Sequence, residues 1–365
     1  MKKIFLKHGG DLDGFAAETG ILKDRILDFS SNVNPLGVSP DVAKVYQESL
    51  KYLSQYPDTN AREFCDEVAV RFSLAPDHVI AGNGAMALLD LAIRALKPRR
   101  ALLVEPCFNE YRRLLALSGA QIESLLLKDE DHFNFPCDAI LEKIDGIDIV
   151  VIGHPNNPTG TALRREEMIS LIKATERRGI ALLLDEAFVD WNPGFSVHQE
   201  VGRSPFLIVV RSLTKFFGLA GVRAGFALAA PQVISRMRFL QESWSCNILA
   251  QRLSVAALRD EEFQNKSLAW FKEESEDLYQ RLSRMPEIKV FPSLANFFLV
   301  RLNDKDRDDA FWRFMKSRGV YLRAMDDMAG LTDGYFRAAL KTRRENLILM
   351  ENLKEALLTD RCLSF

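Results

Sequence analysis

The stretch VVRSLTKFFGLAGVRAGF, residues 209–226, decides how this chain is read. It continues an unbroken apolar run from Phe206, FLIVV, of the kind shown by a strand buried on both faces. The run gives way to Ser212, Thr214 and Lys215, and Arg223 follows eight residues after the lysine, among glycines. A second apolar run, AGFALA (224–229), starts just past the arginine. An ammonium and a guanidinium therefore stand where two buried strands meet their loops, a placement that packing alone does not require.

Working outward, the same pattern recurs from about residue 80 to 230. Short apolar runs, ALLVE (101–105), IDIVVIG (147–153) and IALLLDE (180–186), alternate with the helical spacings of AMALLDLAIRAL and RREEMISLIKATERRG. The second helix is expected to end at Gly179 as its C-cap. Alternation of strand and helix predicts an α/β domain with a mainly parallel sheet flanked by helices. Beyond residue 230 the pattern changes. Helices are expected over roughly 231–260 and 262–284, then two strands around a turn in IKVFPSLANFFLVRL, a helix near 306–318, short strands at GVYLR and YFRAAL, and a closing helix over 344–358. The expected organisation is an N-terminal arm (1–36) joining the small domain, a large α/β domain (37–235) and a smaller α+β domain (236–365).

Composition narrows the function. A net charge of −2 gives no reason to expect nucleic-acid binding. No segment is apolar for long enough to cross a bilayer, and the N-terminal apolar stretch is too short for a signal peptide. Five cysteines, scattered and without CxxC spacing, fit reduced thiols in the cytoplasm and neither disulfides nor a metal site. The ending CLSF has the form of a prenylation box, but with no basic run upstream it is read as coincidence.

In a doubly wound sheet, ligands sit beyond the carboxyl ends of the strands, and each polar motif here falls at such an end. AGNGAM (81–86) opens a helix, so Gly84 and the N–H groups of Ala85 and Met86 can cradle a phosphate. EPCFNEY (105–111) places Phe108 after one strand. HPNNPTG (154–160), DEAF (185–188) and SLTK (212–215) close three others. GNGAMA followed by Glu105 also matches a dinucleotide fingerprint, which would leave Asn157, Asp185, Lys215 and Arg223 without a purpose.

The ordered set HPNNPTG, DEAF, SLTK and GVRAG resembles the signature of fold-type I pyridoxal-phosphate enzymes, the aspartate aminotransferase superfamily, and the likeness runs from DFSSNVNPLG (28–37) to YFRAAL (335–340). It implies that Lys215 bonds the cofactor aldehyde and Asp185 keeps the ring nitrogen protonated. Asn157 would donate to the ring oxygen and Phe108 would stack on the ring. Ser212, Arg223 and the N–H groups at Gly84, Ala85 and Met86 would hold the phosphate, although many relatives carry Ser, Thr or Asp where this chain has Ala85 and Met86. In SQYPDTN (54–60), Tyr56 would reach the cofactor of a neighbouring subunit, which implies a homodimer with shared active sites.

Within that superfamily the chain resembles both histidinol-phosphate aminotransferases and threonine-phosphate decarboxylases of cobalamin synthesis. Three features favour the decarboxylases: the arm with His8, Gly9, Gly10 and DFSSNVNPLG, Phe188 where the aminotransferases carry tyrosine, and the runs RSLTKFFGLAGVRAG and LKPRRALLVEPCFNEY. The implied substrate is O-phosphothreonine or phosphoserine, with Arg337 on its carboxylate and His8, Asn32 and Arg323 on its phosphate. A cofactor-binding regulator would need an added DNA-binding segment, and no stretch here supplies one.

Overall fold

The computed structural model describes residues 8–358, so the CLSF ending lies outside the described residues. Thirteen strands can be followed within them. In chain order they are β1 (Leu27–Asp28), β2 (Val79–Gly82), β3 (Arg100–Glu105), β4 (Gln121–Leu126), β5 (Ile149–Gly153), β6 (Ala181–Asp185), β7 (Leu207–Ser212), β8 (Gly225–Leu228), β9 (Ile288–Val290), β10 (Phe297–Leu302), β11 (Val320–Tyr321), β12 (Arg323–Ala324) and β13 (Tyr335–Ala339). The larger sheet has seven strands in the order β2-β8-β7-β6-β5-β3-β4. Its pairs from β4 to β7 are parallel, whereas β8 is antiparallel to both β7 and β2.

Every residue of β5, β6, β7 and β8 is buried, which is why these segments read as continuous apolar runs. The strand β4 was not foreseen. It lies at the edge and mixes exposed with half-buried positions, so its sequence QIESLL has no apolar run to betray it. The expected helices at Ala85–Leu96 and Arg165–Arg178 form, and the second ends on Gly179 at φ 67°, the left-handed conformation that glycine adopts most readily.

The antiparallel β8 answers the question raised by the lysine and arginine. Because β8 runs against β7, its first residues lie at the edge where β7 ends, and Ser212 pairs with Gly225. Lys215 leaves one strand and Arg223 enters the next at that one edge. The sheet order also disposes of the dinucleotide reading. GNGAMA follows β2, at one side of the sheet and beside antiparallel β8, while Glu105 ends β3, four strands away from β8. The Glu105 carboxylate is taken by Arg112 at 2.6 and 3.0 Å.

After β8 the expected helix over 231–260 is two helices, Pro231–Leu240 and Ile248–Arg259. Asn247 caps the second by accepting from the Ala250 N–H at 2.8 Å, and Gln241 leaves the first to donate to the Ala81 carbonyl at 2.8 Å. These polar bonds, the Asn247 cap local and the Gln241 bond to a segment distant in sequence, outcompete continuation of the helix. Strands β12, β13, β10 and β9 form a second, antiparallel sheet, and β1 of the N-terminal segment pairs with β11.

Beneath the strand ends a buried ion cluster fixes β6 against β7. Arg211 donates to Glu186 at 2.9 Å and also pairs with Asp190, while Glu186 accepts from Ser196 and from the Val197 N–H. Breaking a buried pair leaves its partner charge uncompensated, at about 3–5 kcal/mol. Arg211→Met is therefore expected to lower the unfolding free energy by about that amount, as read by denaturant titration with an unchanged slope.

Candidate active site

A cavity of about 530 Å³ opens at the carboxyl edge of the larger sheet, where the smaller sheet and the N-terminal segment close over it. Twelve of the sequence-selected residues line it: His8, Asn32, Ala85, Met86, Phe108, Asn157, Asp185, Ser212, Lys215, Arg223, Arg323 and Arg337. Gly84 adjoins it as the N-cap of the helix beginning at Ala85. Tyr56 does not reach it. Its ring is exposed and packs on Trp244 with centroids 4.7 Å apart.

Lys215 is half-buried in the cavity wall, and loss of solvation together with the nearby Arg337 and Arg223 pushes its amine down to about 8, against the opposing pull of Asp185. Its Nζ lies 5.8 Å from the centroid of the Phe188 ring. Asp185, at the end of β6, is buried as well, and burial raises its carboxyl above the usual range. Two donors work the other way: the Tyr111 hydroxyl at 2.7 Å and the Ala187 N–H at 3.0 Å. Sequence reasoning missed Tyr111. The signal was present in EPCFNEY, where Tyr111 lies three residues after Phe108 and so faces the same side of the helix that follows.

The expected phosphate-binding residues, with Thr214 beside them, bring together a helix N-terminus, two hydroxyls and a guanidinium. The Ser212 and Thr214 hydroxyls lie 2.7 Å apart, Thr214 being a second residue that the sequence reading did not select. Arg223 donates to the Ala220 carbonyl at 3.2 Å, and no carboxylate pairs with it among the described residues. Two glycines make room. A Cβ on Gly225 would lie 2.8 Å from the Ala85 nitrogen and 2.7 Å from the Arg211 carbonyl, so any larger residue would push the helix end off the sheet. A Cβ on Gly84, at φ 83°, would come within 3.0 Å of the Arg223 guanidinium.

Across the cavity, β12 and β13 place Arg323 directly opposite Arg337. Like charges opposite each other on neighbouring strands repel, and both arginines are buried. Burial, then Arg323, pushes the Arg337 guanidinium below its ordinary range. Arg337 donates to Asn157 Oδ1 at 2.5 Å and to the Ser30 carbonyl at 2.7 Å. With its amide oxygen turned inward, Asn32 accepts from Arg337 at 3.2 and 3.3 Å. Arg323 holds Asp327 at 2.8 Å. At the rim, His8 Nε2 lies 3.2 Å from Glu110, which also accepts from Arg113 at 2.5 Å.

These residues suit pyridoxal phosphate by their chemistry. A half-buried amine that is readily neutral can bond an aldehyde, a buried carboxylate can pair with a pyridinium, and a glycine-lined helix end with Arg223 can take a phosphate. The comparisons agree. The family model for aminotransferase class I and II matches residues 24–353. The chain is 34% identical over 355 residues to threonine-phosphate decarboxylase of Salmonella typhimurium, with 96% of each chain covered. It is 32% identical over 361 residues to histidinol-phosphate aminotransferase of Methylobacillus flagellatus, covering 96% of this chain and 94% of the other. The fold matches that of histidinol-phosphate aminotransferase from Sinorhizobium meliloti, solved in complex with pyridoxal 5'-phosphate. There the TM-score is 0.86 and the identity 18%, over 98% of this chain and 96% of that one. The chain belongs to the aminotransferase class I and II family, whose cofactor is pyridoxal phosphate.

Because the Lys215 amine is held near 8 and only its neutral form attacks an aldehyde, uptake of pyridoxal phosphate by cofactor-free protein is expected to speed up as pH rises through about 8. Stopped-flow absorbance of the bound chromophore between pH 6 and 10 measures it. A profile still rising steeply at pH 10 would place the amine at its ordinary value.

Proposed function

We propose that this chain is a carboxy-lyase that converts L-threonine O-3-phosphate to (R)-1-amino-2-propanol O-2-phosphate and CO₂ in cobalamin biosynthesis. The carrying observation is the facing pair Arg323 and Arg337, two buried guanidinia set to receive two anions on one small molecule. The relative named threonine-phosphate decarboxylase, similar along nearly the whole chain, supports that substrate.

Pyridoxal phosphate supplies the aldehyde that joins the substrate amine and the ring that accepts the electron pair of the bond broken at Cα. Lys215 and Asp185 are the catalytic residues of this reading, and Asn157, bonded to Arg337 through its oxygen, keeps its amide N–H groups for the cofactor or substrate. Arg337, steadied by Asn32 and the Ser30 carbonyl, takes the substrate carboxylate; Arg323, with His8 and Asn32 nearby, takes the phosphate. Holding both ends of the substrate, these arginines would orient which bond at Cα is broken. Loss of CO₂ leaves an electron pair that needs one proton at Cα, and the Lys215 amine, able to gain and lose a proton near neutrality, supplies it. Phe188 brings no hydroxyl to this wall of the cavity, where aminotransferases of the resembling type carry tyrosine.

We also propose a cytoplasmic homodimer in which Tyr56 completes the partner's cofactor site. In support, the segment leading to Tyr56 presents Tyr46, Leu50 and Leu53 to solvent in the single chain, and no helix of the described residues is long and apolar enough to cross a membrane.

The test is incubation of holoenzyme with O-phosphothreonine, with and without 2-oxoglutarate. CO₂ release without the keto acid is expected; glutamate formed from histidinol phosphate and 2-oxoglutarate at higher kcat/KM would make the chain an aminotransferase. Arg337→Ala should lower kcat/KM for O-phosphothreonine about 30-fold or more, because removing one partner of a buried charge pair costs about 2 kcal/mol or more.

A further inference from the structure

Arg323 is already engaged. Its side chain is 6% exposed, and both terminal nitrogens of its guanidinium bond to the protein. Nη1 donates to the Ala324 carbonyl, and Nη2 donates to both carboxylate oxygens of Asp327 at 2.8 Å. Asp327 is held from its other side by Asn109, whose Nδ2 lies 3.0 Å from the carboxylate and 3.3 Å from the Asp327 carbonyl. It belongs to the connection between β12 and β13, and the next residue, Met328, lines the cavity.

A phosphate binds an arginine best through two parallel N–H bonds from the fork. The nitrogen that holds Asp327 cannot offer the same bonds to a phosphate. A phosphate arriving beside an undisplaced Asp327 would also meet a like charge. We infer that Asp327 is an internal competitor for the substrate's phosphate, a residue that occupies Arg323 until a stronger anion takes its place. The inference rests on the reading that Arg323 receives that phosphate.

The consequence is a threshold. Every anion must first displace Asp327, and its apparent affinity falls by the fraction of time that Arg323 is disengaged. A carboxylate offers Arg323 only the charge it already holds. A phosphate brings about 1.5–2 negative charges at pH 7 and three acceptor oxygens. Amino acids with carboxylate tails are thereby kept below useful occupancy, while the phosphorylated substrate still binds.

The competing explanation is that Asp327 merely positions Arg323, and the two predict opposite signs. In holoenzyme, Asp327→Asn and Asp327→Ser are expected to lower both KM for O-phosphothreonine and the inhibition constant of inorganic phosphate by about threefold to tenfold, the gain expected if Arg323 is disengaged about a tenth to a third of the time. The change should fall in KM more than in kcat, and the inhibition constant of glutamate should drop with it. Constants that rise or stay level in both variants overturn the inference. Arg323→Ala separates the failures. If it leaves phosphate inhibition unaltered, Arg323 does not take the phosphate and both ideas fall; if it weakens inhibition while the Asp327 variants weaken it too, only the competitor role falls. A crystal structure of the unmutated holoenzyme with inorganic phosphate needs no variant. Asp327 should have left Arg323, and a phosphate bound to Arg323 with Asp327 still in place would refute the competition.

Discussion

Positive charge held out of water governs the whole mouth of the larger sheet. Arg323 and Arg337 are buried around one cavity, with Arg223 and half-buried Lys215 beside them. The two residue types answer burial differently. An ammonium can shed its proton, and Lys215 is pushed down to about 8. A guanidinium cannot lose its charge at working pH, so Arg323 and Arg337 stay charged and must find anions or strong acceptors. One physical condition thus yields an amine that is readily neutral and two guanidinia that keep their charge. The lysine is suited to bond making and the arginines to holding, without any further device.

That condition needs a scaffold that will not relax, and the sheet supplies it by alternation. Successive residues of a strand point to opposite faces. Asp185 faces the cavity while Glu186, next along, turns away, and Ser212 faces it while Arg211 turns away. The outward members form the buried Arg211–Glu186–Asp190 cluster, which ties β6 to β7 one residue behind the chemistry. Each strand end therefore carries a working residue and its anchor side by side.

Much of this was legible in the sequence because buried parallel strands write themselves as apolar runs, and polar residues at their ends stand out. The central strands, the helix at Ala85–Leu96, and eight residues of the cavity wall follow from that contrast, whereas His8, Asn32, Arg323 and Arg337 came from the family resemblance alone. Three kinds of feature were not legible. The edge strand β4 lacks an apolar run, and the helix break at 241–247 depends on bonds to Ala81 and to the Val222 carbonyl, distant in sequence. The opposition of Arg323 and Arg337 is a matter of strand register, which spacing alone cannot fix across the loop between β12 and β13. Tyr111 and Asp327 were hidden for a related reason: each acts through a residue that had been selected, Asp185 or Arg323.

The N-terminal segment turns these parts into one site. Its backbone joins the smaller sheet, the Phe29 N–H donating to the Tyr321 carbonyl and the Phe29 carbonyl accepting from the Ala339 N–H. Five residues on, the Asn34 N–H donates to the carbonyl of Lys215 at 3.0 Å, and the Asn34 side chain donates to that of Phe216 at 2.8 Å. Between these anchors lie Ser30 and Asn32, two of the groups that hold Arg337. A single short stretch of chain is thus bonded to the lysine loop, to the arginine strand and to the arginine itself. The separation between the Lys215 amine and the Arg337 guanidinium is then set by the backbone of residues 29–34, not by how the two sheets happen to pack. Moving the small sheet away from the lysine loop would have to break the backbone hydrogen bonds at one end of that stretch or the other.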